Sequence, residues 1–146
     1  MSAEETRNLS LAIVEQTADA IIFADRQGVI RMWNPAAEAV FGFSAAEMIG
    51  QSLDIIIPKR LRPAHWKAFD QAVAVGRTRL GRRALLTRSV HKSGTRLYVD
   101  LSFAIVRDAA GEVAGSVAVA RDATERYASE TTMEKRLAEL EKSSGQ

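Results

Sequence analysis

The amino-acid sequence predicts an α+β fold: a five-stranded antiparallel sheet with central helices on one face, flanked by N-terminal and C-terminal amphipathic helices. Three observations predict it. Leu97, Val99, Leu101, Phe103 and Ile105 alternate strictly with Tyr98, Asp100, Ser102 and Ala104, the period of a half-buried strand. The apolar, β-prone runs Ala20–Ala24 and Val29–Trp33 flank Asp25-Arg26-Gln27-Gly28, whose turn chemistry and terminal glycine make a hairpin. Between these two strand sets, residues 34–75 carry repeated helix-start and helix-stop signals, so the helices are left to cover one face of a joined sheet.

In chain order, residues 2–17 carry Leu9, Ile13 and Val14 at helical spacing behind Glu4 and Glu5, and early acidic residues favour a helix start. After the hairpin, Asn34 caps a helix with Pro35 at its first position, and Gly42 ends it. Ser44 and Glu47 form a capping box for a short helix that Gly50 closes. The apolar run Ile55-Ile56-Ile57 stops at Pro58, which cannot continue a ladder. Pro63 then suits the first turn of a helix over 62–75. Thr78–Val90 reads as one long strand with Gly81 as a bulge. His91-Lys92-Ser93-Gly94 is a tight turn, with His91 read as an exposed turn residue. Asp108-Ala109-Ala110-Gly111 turns into a last strand, Val113–Ala120, which completes an antiparallel meander. Residues 124–142 are polar with Tyr127, Met133, Leu137 and Leu140. That spacing suits either a coiled-coil seam or a solvated helix face. The division is an N-terminal helix over 1–18, a core over 19–121 and a C-terminal signalling helix over 122–146.

Composition narrows the function. At 146 residues the chain holds one domain plus an extra helix. It has no cysteine, so disulfides, thiolate metal sites and cysteine nucleophiles are excluded. The net charge of +2 is small. The one basic stretch, Arg77 to Arg83, is a short loop and does not make a nucleic-acid site. No apolar run approaches the ~20 residues of a membrane span, and the chain reads as cytoplasmic or as the soluble part of something longer. Paired catalytic carboxylates, a phosphate-binding glycine loop and a Ser-His-Asp order are lacking, so the chain is read as non-enzymatic.

The residue that stands out is His65. Leu61, His65, Phe69, Ala72 and Val73 fall at spacings of three and four along the 62–75 helix, which places the histidine within an apolar face. A neutral imidazole there is either a metal ligand or a core histidine bonded to backbone, and periodicity does not separate the two. The topology predicts a small pocket between this helix and the Leu101/Phe103 strand face, the default place for a ligand.

Across roughly residues 8 to 126 the sequence resembles a PAS (Per-Arnt-Sim) sensory domain. The matching pieces are Ile22-Phe23-Ala24-Asp25 with Gly28, Trp33-Asn34-Pro35-Ala36-Ala37-Glu38, Phe41-Gly42-Phe43 with Glu47-Met48-Ile49-Gly50, Lys92-Ser93-Gly94, and Arg121-Asp122-Ala123-Thr124-Glu125-Arg126. Ile57-Pro58 with Leu61-Arg62-Pro63-Ala64-His65 further resembles the heme-binding PAS domains of oxygen-sensing histidine kinases and heme-regulated cyclic-di-nucleotide phosphodiesterases. This resemblance implies heme b with His65 as proximal ligand, in keeping with the usual role of neutral imidazole. It implies Leu61, Phe69, Leu85, Leu101, Phe103 and Val117 as lining, and Arg77 and Arg79 beside the propionates. Counting back from the Lys92-Ser93-Gly94 turn, Leu85 stands where the kinases have an oxygen-contacting arginine, and Arg83 where the phosphodiesterases have a methionine ligand. The resemblance thus implies a sensor of a diatomic gas or redox state in a two-component-type pathway. Such a sensor is a homodimer through its terminal helices, coupled through Asp122 and Thr124 to a downstream output domain. The alternative is a cofactor-free PAS module for dimerisation or small-ligand binding.

Overall fold

The structure, a computed structural model, describes residues 1–78, 81 and 83–144. Strands β1 (Ala20–Asp25), β2 (Ile30–Trp33), β3 (Leu85–Val90), β4 (Arg96–Arg107) and β5 (Val113–Asp122) form one antiparallel sheet in the order β2-β1-β5-β4-β3. Helices α1 (Ala3–Gln16), α2 (Pro35–Phe41), α3 (Ala45–Met48), α4 (Arg62–Val75) and α5 (Thr124–Ser144) accompany it. The predicted α+β architecture is present, with α2 to α4 inserted between β2 and β3.

The local signals act as their chemistry dictates. Asn34 Oδ1 accepts the Ala37 N–H at the start of α2. Ser44 Oγ accepts from the Glu47 N–H while the Glu47 carboxylate accepts from the Ser44 N–H, completing the box around α3. Helix α4 runs over the predicted residues, with Pro63 in its first turn. Two features differ. Ile55-Ile56 belongs to a 3₁₀ turn, Leu53–Ile56, followed by a second at Lys59–Leu61. This run has neither helical nor strand periodicity to reveal it. The predicted long strand from Thr78 begins only at Leu85. Gly81 lies in a turn, where the Thr78 hydroxyl donates to its carbonyl. Residues 79, 80 and 82 fall outside the described residues.

The core lies between one sheet face and the central helices. Ile22, Ala24, Leu97, Val99 and Ala120 of the sheet meet Ala37, Phe41, Met48, Leu53, Ile56 and Phe69. Helix α1 buries none of its residues, and its apolar positions Leu9, Leu11 and Ile13 are 50–59% exposed. No helix of the described residues is long and apolar enough to cross a membrane.

Candidate functional site

Helix α4 lays Phe69 into the core and sets His65 one turn earlier, half-buried above it. The imidazole is enclosed by aromatic rings. Trp66 stands edge-on to it at 4.8 Å between centroids, and Phe69 lies at 6.0 Å. Phe69 in turn meets Phe103 of β4 at 6.1 Å. Nδ1 of His65 is buried with no hydrogen-bond partner. Burial holds the imidazole pKa below its ordinary value, against the opposing charges of Asp54 and Asp70, so the ring is kept neutral. A buried nitrogen left without a partner costs free energy, so this ring is poorly explained as a core histidine bonded to backbone.

The sheet register sorts the other predicted residues. Leu101 pairs with Ala120, and Phe103 with Ala118. Leu101, Phe103 and Ala118 pack against the core cluster on the helix side. Val117 pairs with Phe23 and Ala104. Directly opposed residues share a face, so the register turns Val117 to the outer face with Ile21, Phe23 and Val119, away from His65. Alternation alone yields two faces without saying which is inner. Leu85 opens β3 opposite Leu101 but is 48% exposed, and Leu61 is at the rim of α4. Arg77 is exposed just past the end of α4, Arg83 is exposed before β3, and Arg79 lies outside the described residues. The structure therefore lines up His65, Phe69 and Phe103, with Leu101 on the same sheet face as Phe103. Where the sequence predicts a pocket, the Phe69 and Phe103 rings meet across the space between α4 and β4. Two surface depressions lie elsewhere, on α1 around Leu9 and Ile13, and on α5 around Thr132 and Met133.

His91 is not an exposed turn residue. It is half-buried against the end of α2, where a Cβ on Gly42 would fall 2.6 Å from its Cε1. Its Nδ1 accepts from the Ser93 N–H. Lys92 pairs with Glu47 and its N–H donates to the Phe41 carbonyl. The hairpin tip is thereby fastened to α2 and α3.

One grouping escaped the sequence reading. The Trp66 indole N–H donates to Asp54 Oδ1 at 2.6 Å, a pairing whose only signal is an acidic residue before a tryptophan-bearing helix. At the root of α5, Asp122 and Thr124, the residues expected to tie the sheet to this helix, belong to a clasp that also takes in Tyr98, Asp100, Arg126 and Tyr127. The Thr124 hydroxyl accepts from the Tyr98 N–H, and Asp122 Oδ1 accepts from the Thr124 N–H. Arg126 grips both oxygens of Asp100, and this hydrogen-bonded pairing holds the Asp100 carboxyl below its ordinary value. Tyr127 stacks on Tyr98 at 3.8 Å between centroids.

Among the described residues no three His, Asp or Glu side chains gather to hold a metal ion, so His65 is a single donor in an apolar and aromatic setting. Known proteins share this frame. The chain is 26% identical over 113 residues to the oxygen sensor protein DosP of Escherichia coli, covering 69% of this chain and 14% of DosP. It is 39% identical over 64 residues to the sensor protein FixL of Bradyrhizobium diazoefficiens, covering 43% of this chain and 13% of FixL. The chain therefore spans only a small part of the length of either relative. The crystal structure of the PAS domain of a protein from Colwellia psychrerythraea superposes with a TM-score of 0.72 at 22% identity, covering 82% of this chain and 98% of that one. At that identity the likeness speaks for the fold alone. Residues 14–128 match the family described as PAS fold, and with strand order, helix insertion and motifs in agreement, the chain belongs to the PAS-fold family of sensory modules found in signalling proteins.

Proposed function

We propose that this PAS module binds heme b through His65, senses a diatomic gas or redox state, and passes the signal to α5 and a downstream output partner. The observation that carries this reading is a half-buried, neutral imidazole on α4 set against the Trp66 and Phe69 rings. The donor chemistry fits the group: one imidazole beside the Trp66 and Phe69 rings, with Phe103 beyond Phe69. Room beside it depends on the Phe69 and Phe103 rings parting, since they meet between α4 and β4. Heme, when bound, supplies a coordination position for a small gas or a one-electron couple. The likeness to an oxygen sensor supports the gas reading.

The protein's own part is to hold α5. A sheet movement at β4 reaches α5 through Tyr98, Asp100 and Asp122 at the end of β5, because the Thr124, Arg126 and Tyr127 contacts run to those residues. Tyr127→Ala removes the stack and is expected to cost about 1–2 kcal/mol while raising amide exchange in the first turn of α5. Unchanged protection there would show that the stack is not part of the clasp.

Hemin titration tests the cofactor. Wild type is expected to give an intense, stoichiometric Soret band, and His65→Ala to shift or lose it, with retention weakened at least about ten-fold. Absence of the band, or a band indifferent to His65, would overturn the reading. In that event the cofactor-free dimerisation module gains ground. One observation favours it: Leu9, Leu11 and Ile13 on α1, and Met133, Leu137 and Leu140 on α5, are at least half exposed. A homodimer through those helices belongs to both readings.

A further inference from the structure

Metal-ligating imidazoles ordinarily donate their second N–H to a carboxylate, carbonyl or water, which fixes the ring and raises its basicity. His65 lacks such a partner, since its Nδ1 bonds to nothing. What orients the ring is the indole of Trp66, nearly perpendicular to it at 79°. The indole has little freedom of its own. Its N–H is held by Asp54 Oδ1 at 2.6 Å. Its outer ring lies over Gly28, where a Cβ would fall 2.2 Å from Trp66 Cη2.

Asp54 is itself pinned. Its N–H donates to Ser52 Oγ, and its carbonyl accepts from Arg62 Nη2 at 3.0 Å. Arg62 Nε donates to the Ile57 carbonyl and stands 3.8 Å from Asp54 Oδ1. The β1–β2 turn, the 3₁₀ turn over Leu53–Ile56 and the first turns of α4 thus converge on one indole. A hydrogen bond to an ionised acceptor is about twice as strong as a neutral one, so the carboxylate makes the indole a stiff wall for the imidazole.

We propose that Asp54, acting through Trp66, is the positioning residue for His65. It substitutes for the missing direct hydrogen bond to the ring. Its consequence for heme rests on the proposed function above, whereas its effect on ring orientation rests on the geometry alone. Asp54 spends its side-chain hydrogen bond on the indole, and only its charge reaches the imidazole directly. It acts by removing alternative orientations of the imidazole.

The test uses the full chain with Asp54→Ala, Asp54→Asn and Trp66→Phe. The asparagine keeps an acceptor for the indole, and the phenylalanine keeps an aromatic ring without the N–H. Two readouts are taken: the His65 ring resonances of the heme-free protein by NMR, and the rate of hemin loss from the loaded protein. Asp54→Ala is expected to shift or split the ring resonances and to speed hemin loss about ten-fold, while Asp54→Asn, which keeps a neutral acceptor, falls between it and wild type. Trp66→Phe should match Asp54→Ala, and the double variant should be no worse than either, because both remove one contact. Wild-type resonances and hemin loss in Asp54→Ala would overturn the proposal, as would additive losses in the double variant. If wild type takes up no hemin, the heme reading fails. The brace then stands or falls on the ring resonances alone: a shift supports it and their constancy overturns it. Circular dichroism checks that each variant is folded, and Trp66→Phe serves if Asp54→Ala is not.

Discussion

Asn34→Ala is expected to destabilise the fold by about 3–5 kcal/mol and to lower the thermal midpoint by roughly 10 °C. The Asn34 side chain is 1% exposed and uses its full hydrogen-bonding capacity. Oδ1 accepts from the Ile21 and Ala37 N–H groups, and Nδ2 donates to the Val14 and Asp19 carbonyls. One amide therefore joins the end of α1, the start of β1 and the start of α2. The Val14 carbonyl lies in the last turn of a helix, where no intrahelical donor is available. Alanine would strand four backbone groups at once, each costing about 1–3 kcal/mol where water cannot replace the amide. Asn34→Asp is a sharper probe. Its two oxygens keep both acceptor roles but face the Val14 and Asp19 carbonyls without a hydrogen to offer. It is expected to be no more stable than the alanine variant near neutral pH. Equilibrium urea unfolding measures both. A loss below about 1 kcal/mol for either would show that solvent replaces the amide there and that α1 is not anchored through this residue.

The same residue shows which part of the architecture a reader of sequence can see. Asn34 before Pro35 announces a cap because its partner, Ala37, is three positions on. Its other partners lie 13 to 20 positions back and follow only once α1, β1 and α2 are assembled. The candidate site divides in the same way. The row His65, Phe69 and Phe103 was legible because helical and strand periods place these residues on facing surfaces. The Trp66–Asp54–Gly28 contact was not, because it joins three separate segments and tryptophan on an apolar helix reads simply as core. Val117 was misplaced because period two leaves the inner face undetermined until β5 is paired on both sides. The strand expected from Thr78 is shorter because β-prone composition carries no register. Pairing begins only where Leu85 finds Leu101.

Gly115→Ala is expected to be the most damaging single methyl added to this chain, costing about 4 kcal/mol or more. The site lies mid-sheet, on a strand flanked by β1 and β4. A Cβ at Gly115 would fall 2.0 Å from the Ala24 carbonyl oxygen and 2.9 Å from Asp25 Cα. These are backbone atoms, fixed by the pairing of Asp25 with Gly115 and of Ala24 with Ser116, so no flexible side chain can swing aside. On the other flank the β4–β5 register shifts between Val106 and Arg107 at this residue. An irregularity of this kind favours glycine in a strand. Relief therefore requires β1 to separate from β5 or the register to slip. A one-residue slip would send Ala118 and Ala120 to the outer face and Val117 and Val119 to the face that meets α4. Gly94→Ala is the matched control: a Cβ there meets nothing within 4 Å, so only the left-handed backbone cost of about 1–2 kcal/mol remains. Soluble yield, urea midpoints and amide exchange across β1 and β5 separate the two. If Gly115→Ala proves no worse than Gly94→Ala, then β1 sits farther from β5 than the pairing requires. The placement of Val117 and Val119 with Phe23 and Ile21, which rests on that β1–β5 register, would have to be redrawn.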